Sequence, residues 1–353
     1  MKTYKSYYAK NRILSEINNI IFYPIYLLSK ILPRKNIIIF GSMSGYAIAD
    51  NSKYLFVNTY QPNYYWITKN KSLITKPIFS SVFPIYAYSW KGIYLQLHAK
   101  IAYYTHKVND FFAPAIFGAE IIALWHGVPF KKIGTAVVDK KISLFYKIYG
   151  KYKNFRNRIM PYSYFMWCDK VYCPDKKYKN VFGMSFSVAK PGLIMKSYPR
   201  VTYAPDCKKE RQIIYCPTYR KNRTINDVLE SVGVFSDKLV NLLKKENYIL
   251  VIRPHPIDME KLENFDISSD CIQIDKTADI YASIKKYAML ITDYSSLFYD
   301  SQALGIKTFL LADDIHEYNK NEEGLFDSFL EYIMANHFEN MYDLIYNVLN
   351  EKA

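Results

Sequence analysis

The stretch AMLITDYSSLFYD, Ala288–Asp300, reads as a strand, a polar turn and the first turns of a helix. Ala288–Thr292 is an apolar run of strand length that stops at the turn-former Asp293. Ser295 or Ser296 then caps a helix running to Leu304, and Gly305 supplies the C-terminal cap. Lys307–Leu311 follows as a second strand. Strand, helix and strand in this order make a βαβ unit, which requires a parallel sheet.

The same alternation extends outward on both sides. Upstream, Gln212–Cys216 (QIIYC), Tyr248–Ile252 (YILVI) and Cys271–Ile274 read as strands, with helices over Asp227–Lys245 and Asp279–Tyr287; downstream, 323–350 reads as helix. Residues 198–211 are polar, contain Pro199 and Pro205, and read as a linker. Before it comes another alternating set. Its strands are Asn36–Phe40 (NIIIF), Tyr64–Thr68 (YYWIT), Lys100–Thr105 (KIAYYT), Glu120–Leu124 (EIIAL) and Lys170–Cys173 (KVYC), with one more opening near Val188–Lys190. Helices are expected over Asp50–Tyr60, Trp90–Ala99 and residues 139–170. The expectation is an α/β protein of two lobes, 36–205 and 206–353, with a cleft between them. A length of 353 residues suits two domains.

Half of the residues are apolar, enough for a large core. Lys and Arg exceed Asp and Glu to give a net charge of +15, which draws the protein to nucleic acid, a phosphorylated substrate or an acidic lipid surface. No helix-turn-helix, zinc or RNP-type signature is present, so nucleic acid is not an expected partner. There is no G-x-G-x-x-G and no Walker loop, which argues against a dinucleotide or P-loop enzyme. The five cysteines form no C-x-x-C pair and read as reduced packing residues, in keeping with a cytosolic setting. No metal-ligand spacing stands out, so no metal and no cofactor are expected.

Residues 1–35 differ from the rest. Lys2, Lys5, Lys10 and Arg12 precede an apolar stretch, and Arg34 and Lys35 follow it. Glu16, Asn18, Asn19 and Pro24 interrupt it, leaving a clean run far below the ~20 residues a spanning helix needs. A basic amphipathic segment that lies on an anionic membrane surface is the preferred reading; a core helix or a signal anchor are the alternatives.

Polar residues gather at strand ends, where open parallel sheets bind ligands. His126 follows EIIAL directly, and an imidazole there can take a proton from an attacking hydroxyl. Lys131 and Lys132 put positive charge beside it, as an acceptor- or phosphate-binding pair. Thr218 and Arg220 follow QIIYC and offer a hydroxyl and a bidentate fork. Arg253 and His255, in RPHP, end YILVI and suit a diphosphate. Thr292, Asp293, Ser295 and Ser296 line a helix start, whose free N–H groups attract anions. Charge neutralisation by Arg, Lys and the helix end, without a cation, is the expected chemistry.

With these pieces in order, the chain resembles the CDP-glycerol glycerophosphotransferase family, which primes and polymerises teichoic acid and related capsule polymers. The matching residues are Gly45 with Asp50–Leu55, LWHGVPFKKIG (Leu124–Gly134), YCPTYR (Tyr215–Arg220), RPHP (Arg253–Pro256) and LITDYSSLFYD (Leu290–Asp300). The resemblance implies a GT-B-like fold, peripheral association with the cytoplasmic face of the membrane, and attack on the donor's β-phosphate with CMP leaving. It implies that His126 is the general base and that His255 steadies the diphosphate or CMP. It places Thr218, Arg220, Arg253, Thr292, Asp293, Ser295 and Ser296 at the donor. The expected donor is CDP-glycerol, with CDP-ribitol or a nucleotide sugar as alternatives. The expected acceptor is a lipid-linked saccharide or a polyol-phosphate polymer. Val128, Ser197 and Val201-Thr202 depart from the family pattern and leave the acceptor open.

Overall fold

The computed structural model describes residues 14, 16–136, 152, 155–259, 269–322 and 324–350. The basic residues before Leu14 and residues 139–151, 153 and 154 of the expected 139–170 helix lie outside these; within it, 152 and 155–159 are helical, but Pro161–Ser163 is a 3-10 turn and 164–169 are not helical. The chain divides into two compact units, one of residues 1–126 and 138–203, the other of 127–137 and 204–353.

Among the described residues, the first unit holds seven strands: β1 (Ile38–Gly41), β2 (Tyr64–Thr68), β3 (Ile85–Tyr86), β4 (Ile101–Tyr104), β5 (Glu120–Ala123), β6 (Lys170–Cys173) and β7 (Gly192–Met195). They pair in parallel in the order β3-β2-β1-β4-β5-β6-β7. The order reverses between β1 and β4, which makes their carboxyl ends the switch point of the sheet. Phe40, Phe56 and Trp66 anchor one face, with Phe56 meeting Phe40 at 5.1 Å and Trp66 at 5.6 Å edge to face.

Among the described residues, the second unit has six parallel strands: β8 (Gln212–Cys216), β9 (Ile249–Ile252), β10 (Ile272–Ile274), β11 (Met289–Thr292), β12 (Lys307–Leu311) and β13 (His337–Phe338). Their order is β10-β9-β8-β11-β12-β13, so the switch point falls between β8 and β11. Strand residues such as Ile213, Leu250, Ile252 and Ile291 fill a core closed by Leu239, Leu243, Leu344 and Ile345 from two helices. Two parallel sheets flanked by helices fit the expected GT-B-like α/β class.

Several elements differ from the sequence reading. The single helix expected over Asp227–Lys245 is two, Ile225–Ser231 and Asp237–Lys245. Gly233 between them takes φ +76, and Thr224 with Asp227 and then Ser236 cap the two starts. The helix expected over 323–350 is likewise Asp327–Asn336 and Met341–Leu349, with β13 inserted between them against β12. Asp279–Tyr287 forms two short 3-10 turns, not a helix. The strand sought at Val188–Lys190 is β7, slightly further on, and β3 was not anticipated. The supposed linker begins with a helical turn, Pro199–Thr202, whose Pro199 and Arg200 are buried.

Residues 16–21 are helical, and a second helix, Tyr23–Ile31, starts with Pro24 in its first turn, where no N–H is lost. Phe22 packs on Phe112, and Tyr26 on Phe117 and Tyr162. Arg34 ties the end down through the carbonyls of Ser29 and Leu32, both at 2.6 Å. Gly118 lies so close that a Cβ would sit 2.0 Å from the Ser29 carbonyl oxygen. Aromatics thus face the unit, while Ile17, Ile20, Ile21, Leu27, Leu28 and Ile31 remain exposed, Ile31 by 78%. Among the described residues, no helix is long and apolar enough to cross a membrane.

Candidate active site

In the first unit the chain leaves β5 through Leu124, whose N–H bonds the Tyr104 carbonyl at 2.8 Å. Trp125 then adopts φ +58, a left-handed conformation that costs a bulky residue about 1–3 kcal/mol. Its carbonyl accepts from Asn51 Nδ2 at 2.6 Å and its ring meets Phe186 at 4.9 Å, which hold it there. The turn delivers His126 onto the end of β4. Nδ1 of His126 lies 3.3 Å from the Thr105 carbonyl. A carbonyl can only accept, so Nδ1 carries the proton and Nε2 keeps its lone pair. Burial, and then the neighbouring His106, push the His126 pKa down to about 4, with Asp50 opposing. The ring is therefore neutral near pH 7, the form a base needs.

Three further residues surround it. The His106 ring stacks on His126 with centroids 4.8 Å apart. Arg200 donates to the His126 carbonyl at 3.0 Å and to Asp50 at 2.8 Å, while its backbone N–H reaches Asn51 Oδ1 at 3.0 Å. None of Asp50, His106 and Arg200 was singled out from sequence as a site residue. His106 follows the β4 run as His126 follows β5, so the same strand-end reasoning could have found it.

In the second unit Thr218 and Asp293 face each other across the switch point. The Thr218 backbone N–H and hydroxyl both donate to the Asp293 carboxylate, the former at 2.9 Å. Arg220 is buried between Asp293 at 2.9 Å and Asp314 at 2.9 Å, with Tyr294 and Tyr318 rings 4.8 and 4.7 Å from its guanidinium. It also donates to the Thr218 carbonyl. Its fork is thus spent on shaping this loop. Thr292 is buried and donates to the Cys216 carbonyl at 2.7 Å. Ser295 Oγ accepts from the Leu297 N–H at 3.2 Å, whereas Ser296, at the N-cap of helix Leu297–Ala303, makes no side-chain cap. Gly305, with φ +70, closes the far end as expected.

His255 opens the helical turn Pro256–Met259, and its Nδ1 accepts from the Ile257 N–H at 3.3 Å. Neutral His255 therefore presents an N–H at Nε2, a donor rather than a base. Burial lowers its pKa; Asp258 and Asp293 work against this and Lys131 works with it. Lys131 lies over the Tyr318 ring at 5.2 Å, and Lys132 pairs with Asp327 at 3.3 Å. Arg253 Nη1 is held by Asp275 and by Thr277 Oγ1 at 2.9 Å. His255, Lys131, Asp293, Thr218 and Arg220 thus form one electrostatic neighbourhood. Asp314, at the N-cap of the helix Ile315–Asn321, is a buried member of it.

Two parallel sheets with a histidine at one strand end and a charged loop cluster at others define an α/β protein of the kind that binds ligands at the carboxyl ends of its strands. The model of the CDP-glycerol:poly(glycerophosphate) glycerophosphotransferase family matches residues 24–352, and the chain belongs to that family. It is 23% identical over 363 residues to a teichoic acid glycerol-phosphate transferase of Staphylococcus aureus (strain NCTC 8325 / PS 47), covering 95% of this chain and 89% of that one. It is 24% identical over 327 residues to a teichoic acid poly(glycerol phosphate) polymerase of Staphylococcus epidermidis (strain ATCC 35984 and equivalents), covering 83% of this chain but 42% of the relative. Among solved structures, the wall teichoic acid polymerase TagF aligns with a TM-score of 0.66 at 21% identity, over 96% of this chain and 88% of that one. That likeness concerns the fold.

Proposed function

We propose that this enzyme transfers glycerol phosphate from CDP-glycerol to a hydroxyl of a lipid-linked or polymeric acceptor of the teichoic acid or capsule type, releasing CMP. Family membership across nearly the whole chain supports the reaction. The observation that carries the mechanism is His126, neutral and with an unprotonated Nε2 at a strand end. Nε2 takes the acceptor's proton, the acceptor oxygen bonds to the β-phosphorus, and the bond from that phosphorus to the CMP oxygen breaks. CMP departs with the bonding pair.

The donor falls to groups of the second unit. Lys131, Arg253 and the N–H of His255 offset diphosphate charge, and Thr218, Ser295 and Ser296 add hydroxyls. Arg220, Asp293 and Thr292 act from behind by fixing the loops that carry them. Lys132 extends the charge toward an anionic acceptor. The exposed aliphatic face of residues 16–31 supports a peripheral stance on an anionic membrane, at its cytoplasmic side.

The test is CMP release by the full chain, with CDP-glycerol and CDP-ribitol each offered a lipid-linked disaccharide and a short polyol-phosphate polymer. Release with CDP-glycerol is expected. Preference for CDP-ribitol would reassign the polyol, and silence with every pairing would end the proposal.

A further inference from the structure

The switch point of the first unit lies between the ends of β1 and β4, and a second histidine occupies it. β1 runs on into Ser42-Met43, and β4 into Thr105-His106. The Met43 N–H points at Nδ1 of His106 at 3.4 Å, so this side chain joins the two strand ends. Its ring is within 7° of parallel to that of His126 at a centroid distance of 4.8 Å. Its Nε2 is 3.9 Å from Asp50 Oδ2, and Asp50 is fixed by Arg200, which also holds the His126 carbonyl. Asp50 keeps φ +58 to reach this place. The backbone N–H of His106 goes to buried Asp110, 3.2 Å away.

We propose that His106 is a positioning residue for His126: its stacked ring fixes the plane in which Nε2 of His126 meets the acceptor hydroxyl. This rests on His126 being the base. The charged and titratable groups involved come from several elements. His126 faces His106, Asp50 and Arg200; His106 faces His126, Asp50 and Asp110. With Nδ1 accepting from Met43, neutral His106 directs its N–H toward Asp50. Charge on His106 repels a proton from the His126 ring stacked against it. Burial first, and this repulsion second, keep the base usable at pH values where a lone imidazole would be blocked.

The experiment compares His106→Phe, which keeps a flat ring without charge, with His106→Gln, which keeps neither. For each, kcat and KM for CDP-glycerol are measured between pH 4 and 8, alongside thermal unfolding. Both uncharged variants should move the acid limb of kcat/KM to higher pH, by about one unit, because the repulsion is gone. On the alkaline plateau His106→Gln should lose roughly tenfold or more in kcat with KM little changed, and His106→Phe should lose less. Acid limbs that coincide with the wild type, or move to lower pH, in both variants would overturn the inference. His126→Ala separates the two claims. If it turns over like the wild type, the base assignment itself falls; if it is inactive while the His106 variants keep the wild-type pH profile, only the role of His106 falls.

Discussion

Arg220 shows how a residue with the right chemistry for phosphate can be committed elsewhere. Its side chain is 5% exposed and lies between two carboxylates that are themselves buried. Removing it strands Asp293 without a counter-charge and leaves Asp314 with Arg223 alone, 3.2 Å away, a loss of roughly 3–5 kcal/mol for a buried pair. Arg220→Ala should lower the midpoint of chemical denaturation by that amount, and an unchanged midpoint would mean the carboxylates find other partners. Burial alone would raise the Asp314 pKa, but hydrogen bonds and charge from Arg220 hold it below the usual value. Because the folded value is depressed, its contribution to stability is complete above about pH 4 and is lost as the pH falls through the folded pKa. Acid unfolding of the wild type should therefore be steeper than that of Arg220→Ala, which pH titrations of the two denaturation midpoints can check. At His126 the expectation is kinetic instead. His126→Ala should cut turnover about 10²–10⁴-fold with donor binding retained, as measured by CMP release and by calorimetry with CDP-glycerol.

The helix Tyr23–Ile31 and the turns before it are built to be covered on one side only. Phe22 and Tyr26 dock inward, and six aliphatic side chains are left to solvent. Each isoleucine transferred from water is worth about 1.5–3 kcal/mol, so Ile20→Asp with Ile21→Asp should weaken retention on anionic vesicles by well over tenfold. Raising the salt should release the wild type further, since the basic flanks act through screened charge. Vesicle sedimentation identical to the wild type would show that this face serves something other than lipid. At this scale much was readable in advance. Strands such as Tyr64–Thr68, Lys170–Cys173, Gln212–Cys216 and Lys307–Leu311 stand at their expected residues because a buried parallel strand is an unbroken apolar run bounded by turn-formers. The misjudged helices failed at caps. Ser236 starts a new helix inside what periodicity alone reads as one, and β13 is too short to register as a strand. Strand-end polar residues were legible for the same reason as the strands. Their partners were not: Asp50, His106 and Arg200 come from distant segments, and only the folded sheet brings them beside His126.

On the scale of the whole chain, two sheets of different strand number share one rule: each reverses its order once, and a backbone N–H to side-chain hydrogen bond crosses the reversal. In the first unit the Met43 N–H meets His106 Nδ1, and in the second the Thr218 N–H meets the Asp293 carboxylate. The division of labour proposed above assigns the donor to the second unit, because Lys131, Thr218, Arg253, His255, Ser295 and Ser296 all belong to it, whereas His126 is the last residue of the first unit before residues 127–137 join the second. This makes a spatial prediction for binding. CDP-glycerol at a hundred times its dissociation constant stabilises the folded state that binds it by about 2.7 kcal/mol. Local opening should be suppressed where the donor sits, so amide hydrogen exchange should slow over 215–220, 253–259 and 292–299 and change little around Thr105 and His126. Adding an acceptor analogue should then slow exchange in the first unit. Donor-induced protection confined to the first unit would reverse the assignment, and with it the roles given to the two histidines at residues 126 and 255.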